Sequence, residues 1–130
     1  MEKLRAAILG CGSFAHQQAM ALTALSDQVD LVAVCDRHPE RAQAVADQHT
    51  GGRAAVFTDD RELIEKAGLD LLVVTLPPYG HAGEVERAAA RGIHLLVEKP
   101  IALTHDQAWR MVAAAEQAGV HTQVGFKFRF

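Results

Sequence analysis

The sequence predicts an α/β domain in which helices cover both faces of one parallel sheet. Apolar runs of strand length alternate strictly with segments of helical periodicity along the 130 residues. A glycine-rich turn joins the first apolar run to the first helix, and further glycines end the later helices. This alternation favours right-handed crossovers and a doubly wound sheet of six strands, with the strand order 3-2-1-4-5-6.

The first half of the chain has the pattern of three short strands with helices between them. Pro39 suits the first turn of the second helix, where an N–H group has no partner, and Gly51 and Gly52 end that helix. The predicted elements are strands at 4–9, 31–35 and 54–57 and helices at 13–25 and 39–48.

The second half contains the strongest predicted strand, the run LDLLVVTL at 69–76. This run is apolar on both faces, which is typical of a central parallel strand. Asp59 with Glu62, and Thr104 with Gln107, have the spacing of capping boxes at helix starts. The other predicted elements are a short helix between Asp59 and Gly68, helices at 81–91 and 104–118, and strands at 93–97 and 120–126.

Composition and charge exclude several classes of protein. The formal net charge of −3 lacks the electrostatic footprint of a nucleic-acid-binding protein. No apolar run approaches the ~20 residues that a membrane span needs. The opening MEKLRAAIL passes directly into the glycine turn, which indicates a strand and not a signal peptide. We therefore expect no nucleic-acid or membrane partner and a cytoplasmic location.

The cysteines and histidines do not indicate a metal or a disulfide framework. Cys11 and Cys35 are expected at the carboxyl ends of neighbouring strands, as two free buried thiols. The alternative is a Cys11 thiol whose pKa is lowered by the adjacent helix N-terminus. The histidines have no ligand spacing such as H-x-x-x-H, so the sequence predicts no metal.

The first turn has the pattern G-x-G-x-x-A, with Gly10, Gly12 and Ala15. In a dinucleotide-binding turn the first glycine permits the tight bend and the second lets phosphates approach the backbone. The third small residue lets the helix pack close to the strand, and the helix N-terminus then faces the anion. Because glycine also serves ordinary turns, this pattern alone leaves both interpretations open.

Asp36 is the best discriminator, since it follows the second strand 24 residues after Gly12. A carboxylate there can accept hydrogen bonds from both hydroxyls of an adenosine ribose and would repel a 2′-phosphate, which favours NAD. Arg37 keeps NADP open, because a guanidinium can pair with that phosphate or stack on adenine. The alternative for Asp36 is a purely structural role at the start of the following helix.

Polar residues also follow the fourth and fifth strands, at the edge where ligands bind in open parallel sheets. Lys99, between Glu98 and Pro100, could hydrogen-bond a substrate hydroxyl or assist its proton transfer. The alternative is a solvated lysine after a strand. His81 either contacts the cofactor or is a polar residue at a helix start.

Four segments together resemble the Gfo/Idh/MocA oxidoreductases, which include glucose–fructose oxidoreductase and inositol dehydrogenases. These segments are GCGSFA, VAVCDRHPERA, VVTLPPYGHAGEVERAAARGIHLLVEKPIALT and VGFKFRF, so the resemblance covers essentially the whole chain. The E-K-P triplet after a T-x-P…H segment is more specific than the glycine turn. The chain departs from the family at Pro78 and Tyr79, where many members have asparagine after T-P.

The resemblance implies a role for each matching residue. By position, Gly10, Gly12, Ser13 and Phe14 would hold the pyrophosphate, Asp36 and Arg37 would contact the adenosine ribose, Thr75, Leu76, Pro77 and His81 would line the middle of the cofactor, Glu98 would contact the nicotinamide ribose, and Lys99 would be the active-site lysine.

The resemblance also implies a second domain. Family members continue into an α/β domain that carries substrate specificity and an acid/base histidine, so we expect residues 1–126 to be the dinucleotide-binding domain and 127–130 to begin the next one. The expected reaction is hydride transfer to or from a sugar, cyclitol or related polyol, with NAD binding but no turnover by these 130 residues.

Two other functions remain open at this point. A non-catalytic dinucleotide sensor or regulatory module would bind the cofactor without reaction. A methyltransferase also uses a glycine turn and an acidic residue after the second strand, although the E-K-P triplet argues against it. Phe126, Phe128 and Phe130 would form an apolar edge if left exposed, so we expect dimers or higher species.

Overall fold

The computed structural model describes residues 2–125 and contains six strands and five α-helices in that range. The strands are β1 (Leu4–Leu9), β2 (Val29–Cys35), β3 (Ala55–Phe57), β4 (Leu71–Val74), β5 (His94–Glu98) and β6 (Thr122–Gly125). The helices are α1 (Ser13–Ala24), α2 (Pro39–Thr50), α3 (Asp60–Lys66), α4 (Glu84–Ala90) and α5 (His105–Ala118), with a 3-10 turn at Pro78–Gly80.

The sheet confirms the predicted doubly wound topology. Its strand order is β3-β2-β1-β4-β5-β6, and every neighbouring pair is parallel. Because side chains alternate along a strand, β1 serves two separate cores. Ala6 and Ile8 pack with α1 and α2 on one face, while Ala7 and Leu9 pack with α3, α4 and α5 on the other.

Helix α1 approaches the sheet closely because its inward positions are small. Ala15 and Ala19 are fully buried one turn apart, as the packing role predicted for Ala15 requires. The helix begins directly after the glycine turn, so this close packing also fixes the direction of its N-terminus.

Two helix starts confirm the N-caps expected from the sequence. The Asp59 carboxylate accepts a hydrogen bond from the N–H of Arg61, and the Thr104 hydroxyl accepts one from the N–H of Gln107. Helix α4 differs from expectation, since it begins at Glu84 and not at His81. The 3-10 turn ends just before the predicted start, and Gly83, with φ +86°, keeps 81–83 out of the helix.

Strand β4 is shorter than the apolar run 69–76 that contains it. Leu69 and Leu76 lie outside the strand but still pack against the core, so their apolar character reflects burial and not strand pairing. The predicted end of β6 at Phe126, the segment 127–130 and the apolar edge of Phe126, Phe128 and Phe130 lie outside the described residues.

Candidate functional site

Four strands end side by side at one edge of the sheet. Leu9 of β1 pairs with Cys35 of β2 and with Val74 of β4, and Val74 pairs with Val97 of β5. The residues that come next are candidate site residues, in the order Asp36, Gly10, Thr75 and Glu98 across the sheet. At a strand spacing of about 4.8 Å, Asp36 and Glu98 are separated by roughly 14 Å.

Gly10 makes a turn that is strained for any residue with a side chain. Its φ is +95°, and its N–H donates to the carbonyl of Cys35 at 2.8 Å. A Cβ atom on Gly10 would lie 3.0 Å from the backbone N of Leu76 and 3.0 Å from the carbonyl carbon of Thr75. The turn therefore depends on the direct contact of the β1 end with the β4 end.

Thr75, directly after β4, stabilises this turn through hydrogen bonds. Its N–H donates to the carbonyl of Leu9 at 2.8 Å, and its hydroxyl donates to the carbonyls of Leu9 and Gly10. Thr75 and Leu76 thus support the glycine turn directly, in addition to the cofactor contact that the resemblance implies.

Gly12 has the opposite environment from Gly10. Its φ of −78° is accessible to any residue, and a Cβ atom there would meet nothing within 4 Å. Helix α1 starts at this point without a side-chain cap and without an acidic residue in its first turn. The space and the positive helix end together fit a phosphate-bearing ligand.

Asp36 has the structural role that the sequence left as one of its two alternatives. One carboxylate oxygen accepts from the N–H of Cys11 at 2.7 Å, and the other accepts from the N–H of His38 at 2.8 Å. Asp36 therefore joins the glycine turn to the start of α2. A carboxylate has about four acceptor sites, so this half-buried group retains capacity for two ribose hydroxyls.

Glu98 is buried at the end of β5, where its side chain turns toward α1. It is 7% exposed, and its Oε1 accepts a hydrogen bond from Gln18 Nε2 at 2.6 Å. The partner lies 80 positions earlier in the chain, and no local signal in the sequence pointed to it.

His81 is enclosed and does not project freely into the crevice. Its Nδ1 contacts Glu84 Oε1, and both side chains are fully buried or nearly so. Burial alone would raise the pKa of Glu84, but hydrogen bonds from His81 and from the Ala82 N–H hold that pKa below its usual value. Among residues 2–125, His81 Nε2 has no hydrogen-bond partner.

The remaining candidates lie on the surface near the same edge. Ser13 and Phe14 are exposed at the start of α1, and Phe14 is 53% exposed. The other three, Arg37, Pro77 and Lys99, are exposed just beyond the ends of β2, β4 and β5.

Both cysteines are free and buried, as predicted, and Cys11 Sγ donates to the carbonyl of Cys35 at 3.4 Å. The alternative of a Cys11 thiol with a lowered pKa is wrong. Burial first, and the Asp36 carboxylate second, raise the pKa of Cys11 to about 12, and burial raises that of Cys35 to about 12. The helix N-terminus does not compensate for the lost hydration.

These thiols are expected to resist alkylation. With a pKa of about 12, the thiolate fraction of Cys11 at pH 8 is lower than that of a free thiol by on the order of a thousandfold. Iodoacetamide at pH 8 should therefore modify the native chain slowly and the urea-unfolded chain rapidly, as followed by mass spectrometry. Equal rates in the two states would contradict the buried, protonated thiols.

Some contacts at and around the site connect residues that the sequence did not pair. His16 Nδ1 and His49 Nε2 lie 2.9 Å apart between α1 and α2.

Within the described part of the chain, no three His, Cys, Asp or Glu side chains are grouped as metal ligands. In the same range, no helix has the length and apolar character that crossing a membrane requires.

A doubly wound parallel sheet with this glycine turn, open helix start and carboxylate after β2 defines a dinucleotide-binding Rossmann domain. The family model described as "Oxidoreductase family, NAD-binding Rossmann fold" matches residues 4–126. The chain belongs to this family, the Gfo/Idh/MocA oxidoreductases, and is its NAD-binding domain.

Several curated dehydrogenases are similar to this chain. D-glucoside 3-dehydrogenase of Escherichia coli is 32% identical over 98% of the chain and 36% of its own length. Inositol 2-dehydrogenase of Ralstonia nicotianae is 34% identical over 95% of the chain and 36% of its own length. The chain therefore spans about a third of the length of the curated relatives it matches.

Solved structures agree with this assignment. The WlbA dehydrogenase of Bordetella pertussis, in complex with NADH and UDP-GlcNAcA, is 30% identical with a TM-score of 0.87 over 95% of this chain and 37% of that chain. An oxidoreductase of Agrobacterium radiobacter, in complex with NAD+, L-tartaric acid and magnesium, is 32% identical with a TM-score of 0.88 over 98% and 36% of the two chains.

Proposed function

We propose that this chain is the cofactor-binding domain of an NAD-dependent oxidoreductase. The whole enzyme would act on a carbinol carbon of a sugar, cyclitol or related polyol. The observation that carries the proposal is the register that brings Asp36, Gly10, Thr75 and Glu98 to one sheet edge. Similarity to D-apiose, D-glucoside and inositol dehydrogenases supports the substrate class.

In this proposal the cofactor lies across the edge from β2 to β5. Asp36 accepts hydrogen bonds from the adenosine ribose, with Arg37 beside it, and Glu98 contacts the nicotinamide ribose. The open space at Gly12 supports passage of the pyrophosphate over the start of α1. The other proposed contacts are Gly10, Ser13 and Phe14 at the phosphates and Thr75, Leu76, Pro77 and His81 between the two ribose groups.

When bound, the nicotinamide accepts or donates the hydride. The protein orients the nicotinamide ring and polarises the substrate oxygen. Lys99, exposed directly after Glu98, donates a hydrogen bond to the substrate oxygen and assists its proton transfer. The acid/base histidine and the substrate pocket would come from the second domain that the family resemblance implies.

Calorimetry of the 130-residue chain with NAD+, NADP+ and S-adenosylmethionine tests the proposal. We expect NAD+ to bind, NADP+ to bind more weakly, and S-adenosylmethionine not to bind. Binding of S-adenosylmethionine without NAD+ would overturn the assignment. A robust dehydrogenase rate from these 130 residues would contradict the need for a second domain.

NAD+ binding without turnover would also fit a non-catalytic sensor or regulatory module. The two functions separate on whether the coding sequence continues past Phe130 into a substrate domain. The polyol oxidoreductase requires that continuation, and the sensor does not.

Asp36→Ala is expected to weaken NAD+ binding by about 1–3 kcal/mol through loss of charge-assisted hydrogen bonds. NADP+ binding should fall less or rise, because the carboxylate no longer repels the 2′-phosphate. The variant also loses the acceptors for Cys11 and His38, which affects both cofactors alike. Equal losses for NAD+ and NADP+ in calorimetry would therefore show a structural role only.

The net charge of −3 supports a protein without a nucleic-acid partner, and we propose that it has no membrane partner and a cytoplasmic location. We also propose self-association into dimers or higher species, as expected from the phenylalanines at the end of the chain. Sedimentation of the purified chain at several concentrations measures its state of association.

A further inference from the structure

The Glu98 carboxylate is enclosed by two parts of the chain that are distant in sequence. Gln18 Nε2 donates a hydrogen bond to its Oε1 at 2.6 Å, so the two side chains are in direct contact. Glu98 is only 7% exposed, so this amide replaces part of the hydration that the carboxylate loses.

The second boundary is the backbone of β6 at Gly125, which pairs with Glu98 in the sheet register. A Cβ atom on Gly125 would lie 3.2 Å from Glu98 Oε2 and 3.3 Å from Oε1. Because Gly125 has no side chain, the Glu98 carboxylate fits beside the backbone of β6. With an amide on one side and a strand on the other, Glu98 has little rotational freedom.

Gln18 reaches this position because of where α1 lies on the sheet. Leu95 and Val97 pack in the core that contains α4 and α5, so Glu98 does not share their face and turns toward α1. Gln18 follows Ser13 by five residues, or roughly 7.5 Å along the helix axis. One helix thus begins at the proposed phosphate position and, further along, holds Glu98.

We propose that Gln18 is a positioning residue that orients the Glu98 carboxylate toward the ribose on the nicotinamide side of the cofactor. This inference rests on the proposed role of Glu98. A neutral amide suits the task, because it fixes Oε1 without cancelling the charge of the carboxylate. The capacity that remains on the carboxylate, chiefly at Oε2, is then available to accept from a ribose hydroxyl.

Binding of NAD+ and of ADP by Gln18→Met separates positioning from support of the fold. ADP carries the adenosine and the two phosphates but no second ribose. We expect Gln18→Met to weaken NAD+ binding about tenfold while ADP binding changes by less than about twofold. Gln43→Met is the matched control, since Gln43 Nε2 also donates to a carboxylate, that of Asp47, on the exposed side of α2.

Gln18→Asn provides a second variant that keeps the amide but shortens its reach by one methylene. It should show the same selective loss for NAD+, with a melting temperature close to that of the parent chain. A parallel loss for NAD+ and ADP, or no loss for either, in both variants would overturn the inference.

Glu98→Gln separates the proposed cofactor contact of Glu98 from the proposed positioning role of Gln18. If Glu98→Gln also weakens NAD+ selectively but the Gln18 variants do not, the role of Glu98 stands and that of Gln18 is wrong. If Glu98→Gln leaves the ratio of NAD+ to ADP affinity unchanged, or the parent chain does not bind NAD+, both the role of Glu98 and the inference for Gln18 are overturned.

Discussion

Gly10→Ala is expected to destabilise the fold, whereas Gly12→Ala is expected to leave the fold intact and impair cofactor binding. At Gly10 the φ of +95° costs a residue with a Cβ atom about 1–3 kcal/mol. The new methyl group would also press against the backbone of Thr75 and Leu76 at 3.0 Å, and backbone cannot move aside as a flexible side chain can. Urea unfolding should show this loss directly.

At Gly12 neither cost applies. The backbone has φ −78°, and the added methyl group would project into open space. Stability should therefore change by less than about 0.5 kcal/mol. The proposed phosphates approach through that same space, so NAD+ affinity should fall at least about tenfold, which corresponds to about 1.4 kcal/mol.

Each glycine serves as the control for the other in this comparison. Both variants add one methyl group to the same turn, two residues apart, and both are measured by urea unfolding and by calorimetry with NAD+. If Gly12→Ala binds NAD+ as tightly as the parent chain, the phosphates do not pass over Gly12. If Gly10→Ala is as stable as the parent, the contact with the end of β4 is not what constrains the turn.

The topology and the site edge were predictable because they follow from short-range patterns. The alternation of apolar runs and helical segments implied the strand order, and the strand ends at Asp36 and Glu98 could be located from where each apolar run stops. The N-caps Asp59 and Thr104 depend on atoms within three residues, which sequence spacing describes well.

The contacts that orient the site were not predictable, because they depend on how whole elements pack. Gln18 and Glu98 meet only once α1 is docked on the sheet, and nothing in either neighbourhood encodes that meeting. The adjacent helix N-terminus would lower the pKa of Cys11, and burial raises it. The balance depends on the extent of burial, which the sequence pattern does not measure. Helix α4 starts late because the segment before it forms its own turn.

Replacing Glu84 with leucine is expected to cost about 3–5 kcal/mol of stability, because it removes one partner from a buried polar pair. The Glu84 carboxylate contacts His81 Nδ1 and accepts from the Ala82 N–H at 2.7 Å. Leucine cannot accept either hydrogen bond, so His81 would remain buried with neither ring nitrogen partnered by the described residues. Chemical unfolding at pH 7 measures the loss.

A double-mutant cycle with His81→Leu isolates the pair itself. When both side chains become apolar, neither leaves its partner buried and unpaired, so the double variant should lose less than the sum of the single losses by about 1–3 kcal/mol. Glu62→Leu is the matched control, since Glu62 pairs with Lys66 at 3.8 Å on an exposed helix face. That change should stay within about 0.5 kcal/mol.

The same carboxylate should make the stability of the chain dependent on pH. The pKa of Glu84 in the folded chain lies below its ordinary value of 4.5, so the ionised form stabilises the fold above that value. This contribution is lost as the pH falls through the folded-state pKa. In Glu84→Gln, which keeps the size of the side chain, the deficit relative to the parent chain should therefore shrink between pH 5 and the acid transition, as followed by urea unfolding over that range. A deficit that stays constant down to the acid transition would mean that the loss in Glu84→Gln comes from altered hydrogen bonding and not from the charge of Glu84.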